Sequence, residues 1–314
     1  MKAYLELIKI DLKLALRLRT VIFFNYLFPM IFFFTFGTVF RAGQSAAAVT
    51  QVMTMSVALG VLGNGLFGAG IRSIQERELN ILRRYKVTPI TPGPLLVASM
   101  ATGWMIFLPY IVLLLALSHF VYHMPWPQHM ASLLVFISLG LVAFRSIGLV
   151  IASVANNMQE GTILVQLLYF PMLFLSGATI PTSVFGPVLQ IISGFIPATY
   201  LVKGIKGIML QNQGLFALGS AVAAMILTAV LGWFVGMKLF RWEKEEKIRA
   251  SAKLWVLAVL LPFLAMGIWR GLHWKREPQV DLKSQAKLSI LSVTALSLPA
   301  SNVMRLTDGP DDRT

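Results

Sequence analysis

Along most of the chain, apolar and polar positions alternate in blocks. Long apolar runs, each near the ~20 residues a helix needs to cross a bilayer core, are separated by short polar blocks. Six such runs, at 21–40, 51–71, 95–118, 131–154, 161–180 and 214–237, predict six membrane-spanning helices and an all-α polytopic fold. Residues 1–20 follow another pattern. Lys2, Glu6, Lys9, Lys13 and Arg17 recur every three or four positions, while Leu5, Ile8, Leu12 and Leu16 fill another face. A basic stripe beside a broad leucine face marks a helix lying in the membrane interface.

The stretch 181–213 breaks the rhythm: the apolar run from Val188 to Ile196 is too short to span, and Pro181, Pro187 and Pro197 punctuate it. Two readings fit. Either helices dip into the outer leaflet and return, which is tolerated where protein shields the backbone, or the segment is a packed surface loop. A further apolar segment at 254–271 either crosses as a seventh span or lies at the interface. Beyond it, 272–314 is weakly patterned with an acidic end, and is expected to be poorly ordered.

Composition agrees with this reading. Hydrophobic residues make up 57% of the 314 and charged ones 13%, with a mean hydropathy of +0.74, whereas a soluble domain is about 25% charged. The net charge of +14 invites a nucleic-acid partner, but its distribution argues against one. The segments 1–20, 72–94, 155–160 and 238–253 hold sixteen Lys and Arg, against three in 41–50, 119–130 and 181–213. The basic set is therefore expected on the cytoplasmic side, with the N-terminus. No cysteine is present, so disulfides and thiolate metal sites are excluded. A cleavable signal peptide is not expected, because the charged stretch Lys2 to Arg19 is long and amphipathic and no small-residue cleavage site follows Phe36.

The block from Arg72 to Pro89 connects the second and third spans. Ser73 with Glu76 matches a capping box, predicting a new short helix over 73–88. Leu79, Leu82 and Tyr85 then share one face and Arg77, Asn80 and Arg84 the opposite one, until Pro89, Pro92 and Pro94 end the helix. Such a helix suits docking in a groove of another protein, and equally a topogenic anchor on the membrane.

Within the spans, Arg145 is an ionised residue in an apolar run, with Glu160 as a candidate partner; such charges turn towards protein or water. Ser56, Gly60, Asn64, Gly68 and Arg72 fall on one four-residue row, where another helix can approach closely and Asn64 can bond across. Gly232 and Gly236 form a second such pair. Aromatic residues from Phe23 to Phe36 fit an apolar substrate path or plain lipid-facing packing. His119, His123 and His129 cluster without a carboxylate or cysteine nearby, and are read as neutral loop histidines rather than a metal site.

Glu76-Arg77-Glu78, Arg83-Arg84 and Thr88-Pro89 together resemble the coupling-helix region of ABC type-2 exporter permeases. Leu27-Phe28-Pro29 with Gly37, the run Phe174 to Pro181, and Pro197 to Tyr200 with Gly204 agree with that family, which the chain follows from residue 1 to about 240. The resemblance implies two permease protomers and two nucleotide-binding subunits in a bacterial inner membrane. It implies that Glu76, Arg77, Glu78, Arg83 and Arg84 couple to an ATPase, braced by the N-terminal elbow helix. The chain contains no Gly-x-x-x-x-Gly-Lys-Ser/Thr loop to cradle phosphates, so no cofactor is expected on it and ATP with Mg is expected at the partner. The substrate classes in view are a lipid-linked glycan, a hydrophobic drug-like molecule and a peptide. Two other functions compete. An ion-driven secondary transporter places ionisable groups near mid-membrane, and Arg145 is the one clear candidate here. A membrane-embedded enzyme needs clustered His, Asp or Glu at the bilayer edge, and the histidines lack that companion.

Overall fold

In the computed structural model, the described residues are 2–17, 23–40, 45–86, 92–243, 246, 264, 265, 267 and 268. Most of the expected segment 254–271, and all of 272–314, lie outside them.

Helix α1 covers Lys2–Arg17. A π-helical turn, Phe23–Leu27, leads into α2, Phe28–Val39, with Pro29 in its first turn. Ser45 caps α3, Ala46–Leu62, by accepting from Ala48 N at 3.1 Å. Every residue of α3 from Val49 to Leu62 is buried, and a helix apolar nearly all round belongs at the centre of a bundle. It runs on without a break through a π-helical segment, Gly63–Ile71, and α4, Arg72–Glu78. Helix α5 is Ile81–Lys86, α6 Pro92–Tyr122, α7 Met130–Val154 and α8 Met158–Leu175. After a 3-10 turn at Thr182–Val184 come α9, Pro187–Ser193, and α10, Pro197–Leu210, bent by 94° from each other. A 3-10 turn at Leu215–Leu218 opens onto α11, Gly219–Lys238.

Among the described residues five helices are long and apolar enough to cross a bilayer, and the bent pair makes a sixth if counted as one span, whereas the expected first span, 21–40, is a shorter apolar helix over Asn25–Val39. The chain is an all-α polytopic membrane protein. Helix α7 and the long helix Ala46–Glu78 form the enclosed centre, and α8 exposes Ile163, Leu167, Phe170 and Phe174 along one stripe. In a bilayer such a stripe faces lipid or another protein at little cost, so packing depends on close approach of small residues.

The closest approach lies where the π segment meets α7. A Cβ on Gly65 would sit 2.7 Å from the Phe144 carbonyl carbon, and one on Gly70 3.0 Å from Gly148 O. Four of the nine π residues are glycine, which weakens the preference for regular α geometry. Gly65 and Gly70 are five apart, matching the i→i+5 bonding of a π-helix, and Gly148 packs against both.

This changes the expected four-residue row. Gly60 meets Phe107 and Tyr110, whereas Gly68 lies by Asn64 and Arg145. The π segment between them changes the phase, so the row does not continue as one face. Gly232 and Gly236 both lie against α7, at Ser146 and Leu149.

The corner between α9 and α10 is closed by its own side chains. Gln190 Nε2 donates to Thr182 O and Phe185 O at 3.2 and 3.1 Å, Thr199 Oγ1 to Ser193 O at 2.6 Å, and Tyr200 OH to Gly194 O at 2.9 Å. Thr182 O and Ser193 O also accept backbone donors, while the side chains of Gln190 and Tyr200 satisfy Phe185 O and Gly194 O inside protein.

Candidate functional site

The chain emerges from the bundle along α4 and reverses at Asn80. Leu79 N donates to Gln75 O at 2.9 Å and Asn80 N to Arg77 O at 3.1 Å, and Asn80 takes φ 56°. Asparagine tolerates this left-handed conformation better than most residues. The turn points Leu79 outward, 60% exposed, flanked by exposed Gln75, Asn80, Ile81 and Arg83, while Leu82 points inward. The projection therefore has an apolar tip with a polar collar.

The expected capping box is not formed. Ile71 and Arg72 keep right-handed helical angles (φ −63° and −60°), so the helix runs on through Ser73 with no free N-terminus to cap. Glu76 pairs instead with Arg72 at 2.9 Å, one turn away.

Arg77 departs from the expected exposed face: it is 3% exposed. Its guanidinium donates to Ala152 O at 2.7 Å and Ala155 O at 2.6 Å, at the C-terminus of α7. The adjacent Glu78 accepts from Met158 N at 2.9 Å, at the N-terminus of α8. The two neighbours thus place a cation on a helix C-terminus and an anion on a helix N-terminus, as the helix dipoles favour. Arg241 closes the other side, donating to Ala155 O, to Asn156 Oδ1 at 3.3 Å and to Glu246 O at 3.0 Å. Burial lowers the Arg241 pKa, with Glu160 and Glu246 opposing the shift, and a guanidinium stays charged regardless. Nothing in the sequence pattern marks Arg241 or the α7–α8 turn for this role. Of the other expected coupling residues, Arg83 is exposed and lies 4.0 Å from Glu243, and the Arg84 side chain is outside the described residues, as are Thr88 and Pro89.

A second polar cluster lies inside the bundle. Arg145, 3% exposed, donates through Nη1 to Asn64 Oδ1 and Asn64 O, the latter at 3.2 Å. Its Nη2 donates to Ser99 O at 2.6 Å and Ser99 Oγ at 2.8 Å. Asn64 Nδ2 in turn donates to Asn25 Oδ1 at 2.9 Å. Residues from α6, α7, the π segment and the first π turn are thus tied together, and Gly103 leaves room for the guanidinium. Glu160, the expected partner, is engaged elsewhere: at the start of α8 it accepts from Asn156 N and Nδ2, at 3.0 and 2.9 Å. Asn25 and Ser99 do not stand out in the sequence, where a single polar residue in an apolar run carries little signal.

The three histidines separate. His119 meets Met124 O, whereas His123 and His129 are exposed, with His123 at φ 53°. Among the described residues, no three His, Cys, Asp or Glu side chains are grouped to hold a metal ion.

A family model, ABC-2 type transporter, matches residues 2–210. The chain is 26% identical over 176 residues to the inner membrane transport permease YhhJ of Escherichia coli (strain K12), which covers 56% of this chain and 46% of that protein. It is 34% identical over 102 residues to nodulation protein J of Bradyrhizobium diazoefficiens, covering 32% of this chain and 38% of the relative. Nodulation protein J of Sinorhizobium fredii is 28% identical over 116 residues, covering 37% and 44%. The chain thus matches less than half the length of these relatives.

Proposed function

The chain belongs to the ABC-2 type transporter family, and from that premise we propose that it is the permease subunit of an ATP-driven exporter powered by a separate ATPase. ATP and Mg would bind on that ATPase, whose phosphate-cradling loop this sequence lacks. A second permease protomer would complete the membrane path. The family and the printed description of the Escherichia coli relative support an inner-membrane location. The sixteen-to-three charge asymmetry supports a cytoplasmic N-terminus.

The observation that carries the coupling role is the projection at Leu79, Asn80 and Ile81. It is exposed and apolar at its tip, and it is fixed from beneath by Arg77 and Glu78 on the α7–α8 turn. A fixed apolar tip docks without losing much chain entropy, and its base transmits displacement to two spans at once. A hydrophobic or lipid-linked substrate fits the aromatic ladder of α2 and the residue that follows it, where Phe28, Phe32, Phe36 and Phe40 succeed one another with ring centroids 4.8, 5.8 and 5.8 Å apart.

The test is Leu79→Ser combined with Ile81→Ser in the full chain, expressed with its ATPase. Burial of a leucine side chain contributes about 1.5–3 kcal/mol, so association should weaken roughly tenfold or more, with membrane level unchanged. The permease purified alone should hydrolyse no ATP. Full co-purification and coupled ATP turnover in the double variant would defeat the docking role, and hydrolysis by the isolated chain would defeat the separate ATPase.

A further inference from the structure

At the far end of α6 from Pro92, the chain folds back over its own helix. Met124 N donates to Ser118 O at 3.1 Å, and His123, at φ 53°, turns the backbone. The loop then reads Met124-Pro125-Trp126-Pro127, with φ fixed at two of its four positions by proline. It closes over a void of about 10 Å³, room for one occupant the size of a water molecule.

The wall of that void is chemically unusual. It includes three methionines from three separate elements, Met53 of α3, Met124 of the loop and Met209 of α10, together with His119. All three methionines are buried, Met53 completely. No carboxylate and no cysteine lines it.

His119 Nδ1 lies 2.8 Å from Met124 O. A carbonyl can only accept, so Nδ1 carries a proton, which leaves Nε2 as the nitrogen that could ligate. A backbone carbonyl on one ring nitrogen is how proteins orient a metal-ligating histidine. Trp126 stacks on the same ring at 4.7 Å and 26°, fixing its plane. Methionines in a core ordinarily flex to fill gaps. Here three line one void together with an imidazole held by a backbone carbonyl.

Thioether sulfur and an imidazole nitrogen form a soft donor set. Hard divalent cations need oxygen ligands, and soft thioethers select Cu(I). A set without an anionic ligand also favours the lower charge, since unbalanced charge inside a bundle is costly. We propose that Met53, Met124, Met209 and His119 form a binding site for a soft monovalent metal ion, Cu(I) or its analogue Ag(I), closed by the Met124–Pro127 loop.

The test is Ag(I) titrated into the purified full-length chain, followed by equilibrium dialysis and by tryptophan fluorescence. With no cysteine in the chain, thiolate binding gives no background. One tight equivalent per chain is expected, displaced by Cu(I) and not by Zn(II). Met124→Leu with Met209→Leu, nearly volume-conserving changes, should weaken it at least tenfold. Met105→Leu with Met237→Leu, at two exposed thioethers, should leave it unchanged. X-ray absorption on the silver-loaded parent chain needs no variant, and should show sulfur neighbours together with nitrogen. Absence of a tight equivalent, equal binding by the Met124/Met209 variant, or a metal shell without sulfur would each overturn the site.

Discussion

Arg145 shows how one residue organises its surroundings when water is absent. Its charge is met by the neutral groups of Asn64 and Ser99, and intramembrane arginines are tolerated on such terms when turned inward. That arrangement requires the backbones to come close, which is the work of the small residues. Gly148 packs against Gly65 and Gly70 with no space for a methyl group, whereas Gly219 has nothing within 4 Å of where a Cβ would stand. Gly148→Ala should therefore destabilise the chain by about 1–3 kcal/mol, the usual range for overpacking. Gly219→Ala should stay within about 0.5 kcal/mol of the parent. Denaturation in detergent measures both, and equal stability of the two variants would refute the close crossing. With α-helical spacing the sequence points to Gly60, Asn64 and Gly68. The glycines that make the crossing, Gly65 and Gly70, are five apart, a spacing with meaning only once the π segment is known.

The elements meet most tightly at the turn between α7 and α8. Arg77 and Glu78 are adjacent in sequence yet serve different helices, one at its C-terminus and one at its N-terminus. Hydrogen bonds to charged groups are each worth about 1.5–3 kcal/mol, and removing Arg77 also leaves the carbonyl of Ala152 short of its donor. Arg77→Met should therefore reduce folded yield and melting temperature in membranes. Glu78→Gln, which keeps an acceptor oxygen, should lower them only slightly. Fluorescence-detected size exclusion with a melting series separates the outcomes. If Arg77→Met keeps parental yield and melting but loses the ATPase, Arg77 belongs to a docking surface and not to a clamp. The one helix expected over 73–88 is instead two, Arg72–Glu78 and Ile81–Lys86, parted by the left-handed turn at Asn80, and neither that break nor the inward direction of Arg77 is legible in the pattern. A short polar helix gives no sign of which charges face a neighbouring helix end, because its acceptors are backbone carbonyls some 75 residues away. Five of the six expected spans were legible for the opposite reason: length and apolar content alone define them.

At the scale of the whole molecule, the long axis of α6 separates the two ends. Its 31 residues measure about 46 Å at 1.5 Å per residue, against a hydrocarbon core of about 30 Å. Leu79 precedes one end of it and His123 follows the other, and both are exposed. The basic blocks gather with the first of these, since 72–94 and 238–253 hold Arg72, Arg77, Arg83, Lys238 and Arg241, and Arg83 approaches Glu243. Positive segments are retained in the cytoplasm, so the orientation expected is Leu79 inside and His123 outside. The cysteine-free chain allows a direct measurement with Leu79→Cys and His123→Cys made separately. Both positions are accessible and neither lies in a close-packed contact, so the substitutions should leave membrane level intact. A membrane-impermeant maleimide applied to spheroplasts should label position 123 at once and position 79 only after permeabilisation. Labelling in the reverse order would invert the topology and place the Leu79 projection where no cytoplasmic ATPase could reach it. That result would remove the coupling role together with the orientation, while leaving the fold and the family intact.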